Sequence, residues 1–224
     1  PRESIALAVK DLAAELGGTA ELNFSDEKPR VAIFVSKQDH CLVDLVWRAR
    51  SSELSMDIAL VLSNHQDLKG ITNQLGVPFI FVPVDKNTKA VAEQSMRKIL
   101  IENNIELIVL AKYMQILSVD FLDYFPEIIN IHHSFLPAFK GAQPYHRAWE
   151  RGVKLIGATA HYVTEELDNG PIIDQAIAHV SHRDEVDDLI RKGRDLERIA
   201  LARALRLHLR RQLIVYRGRT AVFA

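Results

Sequence analysis

An α/β fold, a mostly parallel sheet flanked by helices, is the class this sequence predicts, on three observations. Short β-branched apolar runs recur from Val31 to His132, amphipathic helical patterns alternate with them, and the runs lack the polar alternate positions of a half-exposed strand. Strands buried on both faces and joined by helices form parallel sheets with crossovers. The expected layer is Rossmann-like, followed by a long C-terminal helix and a terminal hairpin.

Taken in order, Val31 to Val35 reads as a strand and leads into a helix near His40. A strand at Met56 to Leu62, a helix at Asp67 to Leu75, a strand at Pro78 to Phe81 and a helix at Thr88 to Glu102 continue the alternation. Glu106 to Ala111 and Pro126 to His132 are the next two strands. After Pro144 the character changes: a helix at Tyr145 to Gly152 precedes alternating strands at Leu155 to Val163 and Ile172 to His179. From Asp184 to about Arg211 one long helix places Val186, Leu189, Ile190, Gly193, Leu196 and Ala200 at helical spacing. Its acidic start and basic end complement the helix dipole, a simpler account of those charges than a nucleic-acid-binding helix. Leu213 to Phe223 closes the chain as a hairpin around Arg217-Gly218.

Residues 1–28 stand outside the alternation. Ile5, Leu7, Leu12 and Leu16 suggest a helix, Gly17-Gly18 a break, and Ala20 to Phe24 a short strand. The chain opens on Pro1, and we expect it to be a processed or truncated piece of something longer.

The chain has 224 residues, 48% hydrophobic and 25% charged, with a formal net charge of -1. That composition fits a soluble globular protein and gives no electrostatic case for nucleic acid or an anionic membrane as partner. Cys41 is the single cysteine, so neither an intrachain disulfide nor a thiolate cluster can form, and a reducing, cytoplasmic compartment is expected. No apolar run approaches the roughly 20 residues that span a bilayer.

The chemistry is concentrated in Asn130-Ile131-His132-His133-Ser134-Phe135-Leu136-Pro137 and, downstream, Leu167-Asp168-Asn169-Gly170-Pro171. On a strand Asn130 and His132 share a face, because side chains alternate. If the Asp168 loop folds back beside that strand, an amide, an imidazole and a carboxylate converge, a set able to hold a carbonyl and activate an attacking atom. Singly, Asn130 reads as a turn former and Asp168 as part of an ordinary Asp-Asn-Gly turn. His133 is expected on the opposite face, in a supporting role, and His161 reads equally as a site residue or a satisfied strand histidine. A zinc hydrolase is disfavoured, since adjacent strand histidines cannot easily ligate one ion and no His-Glu-x-x-His helix occurs. Cys41 lacks a paired base and reads as a packing residue.

These two motifs, with Gly141-Ala142-Gln143-Pro144 and the run Gly157 to Ile173, resemble the formyltransferase superfamily that handles 10-formyltetrahydrofolate. The resemblance runs from about Arg30 to the C-terminus and implies the formyltransferase fold over 29–224, with Asn130, His132 and Asp168 as the catalytic set. It further implies a folate pocket formed by the segment Lys112 to Ser118 and the loop Val163 to Asp168. Within these, Met114, Gln115, Ile116, Leu117, Val163, Thr164 and Glu165 are the candidate substrate-binding residues, and no metal or cofactor is required.

The first βα turn bears on the acceptor. In superfamily members that formylate a phosphorylated amine this turn is glycine-rich and cradles the acceptor's phosphate. Here it reads Ser36-Lys37-Gln38-Asp39-His40-Cys41, without glycine, and Asp39 would repel phosphate, although Lys37 could contact an anion. Water is then the default nucleophile. Val35-Ser36-Lys37 and His40-Cys41-Leu42 also resemble the deformylase subgroup, which implies hydrolysis to formate and tetrahydrofolate, formate for purine synthesis and a balance among one-carbon folates. The same resemblance makes residues 1–28 look like the last helix and strand of an ACT-type regulatory domain, and a homo-oligomer is expected. The rival expectations are a folate-dependent formyltransferase to an amine acceptor and a folate-binding protein without turnover.

Overall fold

The computed structural model describes residues 2–20, 22–24, 26–125, 127–137 and 144–223. Helix α1 (Arg2–Glu15) precedes the sheet region: β1 (Arg30–Val35), α2 (His40–Arg50), β2 (Asp57–Ser63), α3 (Lys69–Gln74), β3 (Phe79–Phe81), α4 (Lys89–Glu102), β4 (Leu107–Leu110), α5 (Val119–Tyr124) and β5 (Ile128–His132). Then come α6 (Pro144–Arg151), β6 (Leu155–Tyr162), β7 (Ile172–His179), α7 (Val186–Leu209), β8 (Leu213–Tyr216) and β9 (Arg219–Val222).

Seven strands form one sheet in the order β3-β2-β1-β4-β5-β6-β7. From β3 to β5 every pairing is parallel; β5–β6 and β6–β7 are antiparallel. Strand β1 lies at the centre of the parallel half with Val31 to Val35 buried, which is why it reads as a continuous apolar run. The core divides across the sheet. Val31, Ile33, Val35, Ile129 and Ile131 pack towards α2 and α7, while Ala32, Phe34 and Ile128 pack towards α4 and α5. The C-terminal hairpin forms a separate two-stranded sheet.

Every predicted strand and helix of the α/β alternation is present, with ends shifted by a residue or two. Helix α5 was not anticipated; Ser118 caps it, its hydroxyl accepting the Phe121 N–H at 3.2 Å. The strand expected at Ala20 to Phe24 is not formed by residues 22–24, where no neighbouring strand supplies a hydrogen-bonding ladder. Residue 21 of that segment, Pro126 at the expected start of β5, and Gly141, Ala142 and Gln143 of the third motif lie outside the described residues.

Candidate active site

Asn130 and His132 stand on β5, where the parallel half of the sheet meets the antiparallel half. Across the β5–β6 pair Asn130 sits directly opposite His161. Their side chains meet, Asn130 Nδ2 lying 3.2 Å from His161 Nε2. The other ring nitrogen, Nδ1, is 2.8 Å from the Tyr162 carbonyl, which can only accept, so Nδ1 carries the proton and Nε2 receives the Asn130 amide N–H.

Asp168 reaches the same place from the loop between β6 and β7. Its Oδ1 is 3.2 Å from His132 Nδ1 and 3.8 Å from His161 Nε2. The backbone at Asp168 is left-handed, with φ 53°, a conformation that Asp tolerates better than most residues. The loop is pressed tightly on β6: a Cβ added at Gly170 would lie 1.8 Å from the Tyr162 carbonyl oxygen. Burial alone pushes the Asp168 carboxyl up, but the His132 hydrogen bond and the electrostatics of the neighbouring histidines outweigh it and leave it below its ordinary value. Asp168 therefore stays ionised at neutral pH. His132 Nε2 is buried and has no hydrogen-bond partner among the described residues.

The three candidate catalytic residues thus lie together, joined by a fourth, His161, whose role the sequence left open. His133 departs from expectation. Strand β5 ends at His132, so alternation lapses there, and the His133 ring stacks on His132 with centroids 4.7 Å apart and planes 21° from parallel.

All of these residues border one cavity of about 990 Å³. The seven candidate substrate-binding residues line it. Met114 and Ile116 are 63% and 60% exposed, apolar side chains in position to cover a flat ring system. Towards α7 the wall is charged. Lys112 Nζ donates to Glu197 Oε1 at 3.2 Å and to His133 Nδ1 at 3.1 Å. His40 Nε2 donates to Glu197 Oε2 at 2.6 Å, and the Tyr145 hydroxyl donates to Oε1 at 3.0 Å. Burial pushes the Glu197 carboxyl up, yet the His40 hydrogen bond and the Lys112 charge bring it down to about 2. Gly193, one turn before Glu197 on α7, leaves room for Tyr145: a Cβ there would lie 2.0 Å from its hydroxyl.

In the first βα turn Lys37, Gln38 and Asp39 are exposed, Lys37 and Gln38 bordering the cavity, while Ser36 and His40 are held inward. The Ser36 hydroxyl donates to Asn64 at 2.6 Å and accepts the Met114 N–H at 2.9 Å, and His40 is held by Glu197. His40, Cys41 and Glu197 bring possible ligand atoms within 4.8 Å of one another. They suit a metal poorly: the Lys112 ammonium already sits on the carboxylate, and burial, reinforced by the Glu197 charge, pushes the Cys41 thiol well up, away from the thiolate a metal needs.

The chain matches the formyl transferase family model over residues 29–205. It is 58% identical to a formyltetrahydrofolate deformylase from Synechocystis sp. over 223 residues, all of this chain and 78% of the relative. The crystal structure of a formyltetrahydrofolate deformylase from Pseudomonas syringae pv. tomato superimposes with TM-score 0.95 at 45% identity, covering 99% of this chain and 75% of that one. The chain belongs to the formyltetrahydrofolate deformylase branch of the formyl transferase family. Deformylases are not alone in this fold: glycinamide ribonucleotide transformylase 1 from Symbiobacterium toebii gives TM-score 0.82 at 29% identity, covering 92% of this chain and 99% of that one. The same core therefore occurs in proteins named as deformylases and as a transformylase, and in this chain the cavity and its charged wall are built from the side chains described above.

Of those, Lys112, Glu197, Tyr145 and His40 were not singled out from sequence as a set. Glu197 did leave a signal, a carboxylate inside the apolar stripe of α7 between Leu196 and Ala200.

Proposed function

We propose that this chain hydrolyses 10-formyltetrahydrofolate to formate and tetrahydrofolate. The observation that carries the reading is the continuous set Asn130, His161, Asp168 and His132 at the wall of a cavity large enough for a folate. Asp168, ionised and within reach of the His132 ring, positions or deprotonates a water. That water's oxygen bonds to the formyl carbon, and Asn130 and His132 supply N–H groups to the developing oxyanion. Collapse breaks the bond to the folate nitrogen, which takes up a proton relayed through His132, and formate departs. The pterin is gripped by Met114 to Leu117 and by Val163 to Glu165.

Water is favoured as nucleophile by the turn Ser36 to Cys41, which offers no glycine cradle and whose exposed Asp39 would repel a phosphate. Purified protein given 10-formyltetrahydrofolate with no added acceptor is expected to release formate. Turnover that appears only when a phosphorylated amine is added would overturn hydrolysis in favour of transfer, and folate binding without either product would leave a binder.

Under this reading the formate feeds purine synthesis and the reaction balances one-carbon folate pools in the cytoplasm. Residues 1–28 are the end of an ACT-like regulatory unit. The reading is supported by α1, none of whose side chains is buried and whose Ile5, Leu7 and Leu12 face outward. Assembly as a homo-oligomer would give those side chains a partner, and sedimentation of the purified chain tests it.

A further inference from the structure

Lys112 combines two costly features. Its backbone is left-handed, φ 67°, which a long side chain rarely adopts, and its ammonium is buried with only 7% of the side chain exposed. A buried ion pair is weak evidence for stability, since apolar side chains of similar volume serve as well or better. Backbone strain and buried charge at one residue, beside a cavity, point to a role in that site.

We propose that Lys112, held by Glu197, is a positioning residue that fixes His133 as a neutral ring and so makes His132 the one imidazole of the stacked pair that carries the reacting proton. The inference rests on the hydrolytic reading above and deepens it.

The chain of contacts is continuous. Glu197 Oε1 holds the Lys112 ammonium at 3.2 Å, and that ammonium lies 3.1 Å from His133 Nδ1. An ammonium has donors and no lone pair, so the nitrogen it touches must accept. The His133 proton is therefore on Nε2 and its Nδ1 is blocked against protonation. The His133 ring then lies flat on His132, whose Nδ1 faces Asp168. Two stacked imidazolium rings would repel; a neutral His133 instead lets positive charge settle on His132, opposite the carboxylate. The other titratable groups facing this network keep the ammonium in place. His40 and Tyr145 both donate to Glu197, Cys41 is a protonated thiol beside it, and Arg194 lies near Tyr145 without displacing Lys112. His161 completes the set on the far side of Asp168.

Two variants separate this role from a structural one. Lys112→Gly removes the ammonium and relieves the left-handed backbone but leaves the buried Glu197 carboxylate without its counter-charge, so a folded protein of lower thermal stability than the parent is expected, and its kinetics are read well below its melting temperature. Its kcat is expected to fall about 10- to 100-fold at nearly unchanged KM, the range seen when supporting partners of catalytic groups are removed. Added methylammonium, entering the vacated space, should restore part of that loss. Lys112→Met with Glu197→Gln removes both charges without orphaning either and should show the same kcat loss without rescue.

Imidazole nitrogen-15 shifts provide a readout that does not depend on turnover. In the parent, His133 should stay neutral with its proton on Nε2 across the neutral range, and in Lys112→Gly it should titrate. Parental kcat and an unchanged His133 tautomer in Lys112→Gly would overturn the proposal. So would a loss explained wholly by lower stability or raised KM. If the parent itself releases no formate, the hydrolytic reading fails, while the His133 titration still decides whether Lys112 sets the ring's charge.

Discussion

Asn130 on β5 and His161 on β6 face each other across the sheet and touch at 3.2 Å, so the amide that would hold a formyl oxygen is itself held by an imidazole. The Tyr162 carbonyl fixes the tautomer of that imidazole, and the ring is only 2% exposed. Strand pairing thus sets the direction of the Asn130 amide.

The first prediction concerns this pair. His161→Ala should leave the fold intact and KM close to the parent, but lower kcat by about 10²-fold, the scale of loss that follows misplacement of a reacting group by about 1 Å. Steady-state kinetics beside a thermal melt would test it, and parental kcat in a folded variant would remove His161 from the orientation of Asn130.

A second prediction concerns Asp168→Asn. Turnover should drop by about 10²–10³-fold while folate binding persists, the cost typical of losing one group that stabilises the transition state. Stability carries a separate signature. The folded Asp168 carboxyl lies below its ordinary value of 3.8, so its contribution is complete above that pH and disappears as pH falls through the folded value. The melting-temperature gap between parent and variant should be constant from about pH 5 to 7 and close in stronger acid. A gap that persists at the acid extreme would mean the ionised carboxylate is not its source.

Gly170→Ala probes the loop. The added Cβ would meet the backbone oxygen of Tyr162 at 1.8 Å, and backbone on the inner face of β6 has little freedom to retreat. We expect a folded protein whose Asp168 loop is displaced, with kcat reduced by about 10²-fold. A parental rate would show that the loop can lift without moving the carboxylate. At Gly193 the clash is with the end of the Tyr145 side chain, and a milder effect is expected there.

Cys41 gives the fourth. It is fully buried and its thiol is pushed well up, chiefly by burial and then by Glu197. The native protein at mildly alkaline pH should resist iodoacetamide for hours and react fully once unfolded. Rapid alkylation of the folded chain, followed by mass spectrometry, would contradict that burial.

Most of the fold was legible because burial on both faces leaves an unmistakable mark: Val31 to Val35, Leu107 to Leu110 and Ile128 to His132 read as strands for the reason they form them. Helix α5 escaped because it has only six residues, too short for periodicity to show, although the Ser118 cap and Asp120 in its first turn were present in the sequence. At the site, Asn130, His132 and Asp168 were legible through motif resemblance. The supporting residues were not, because their meaning lies in pairings between distant segments: Lys112 and Glu197 are 85 residues apart, and His40 and Glu197 157. The opposite-face placement of His133 depended on the strand continuing, and β5 ends at His132, so only its supporting role could be read from the sequence.

Helix α7 has a mechanical consequence. Its 24 residues form one rod about 36 Å long at 1.5 Å per residue. Midway, Glu197 grips Lys112, and near the end the Tyr162 hydroxyl and His208 Nδ1 are hydrogen-bonded at 2.8 Å, at the end of β6 from which the Asp168 loop departs. One strut therefore sets the spacing between the ammonium and the carboxylate that flank the stacked histidines. Sliding that strut along its axis would detune both at once.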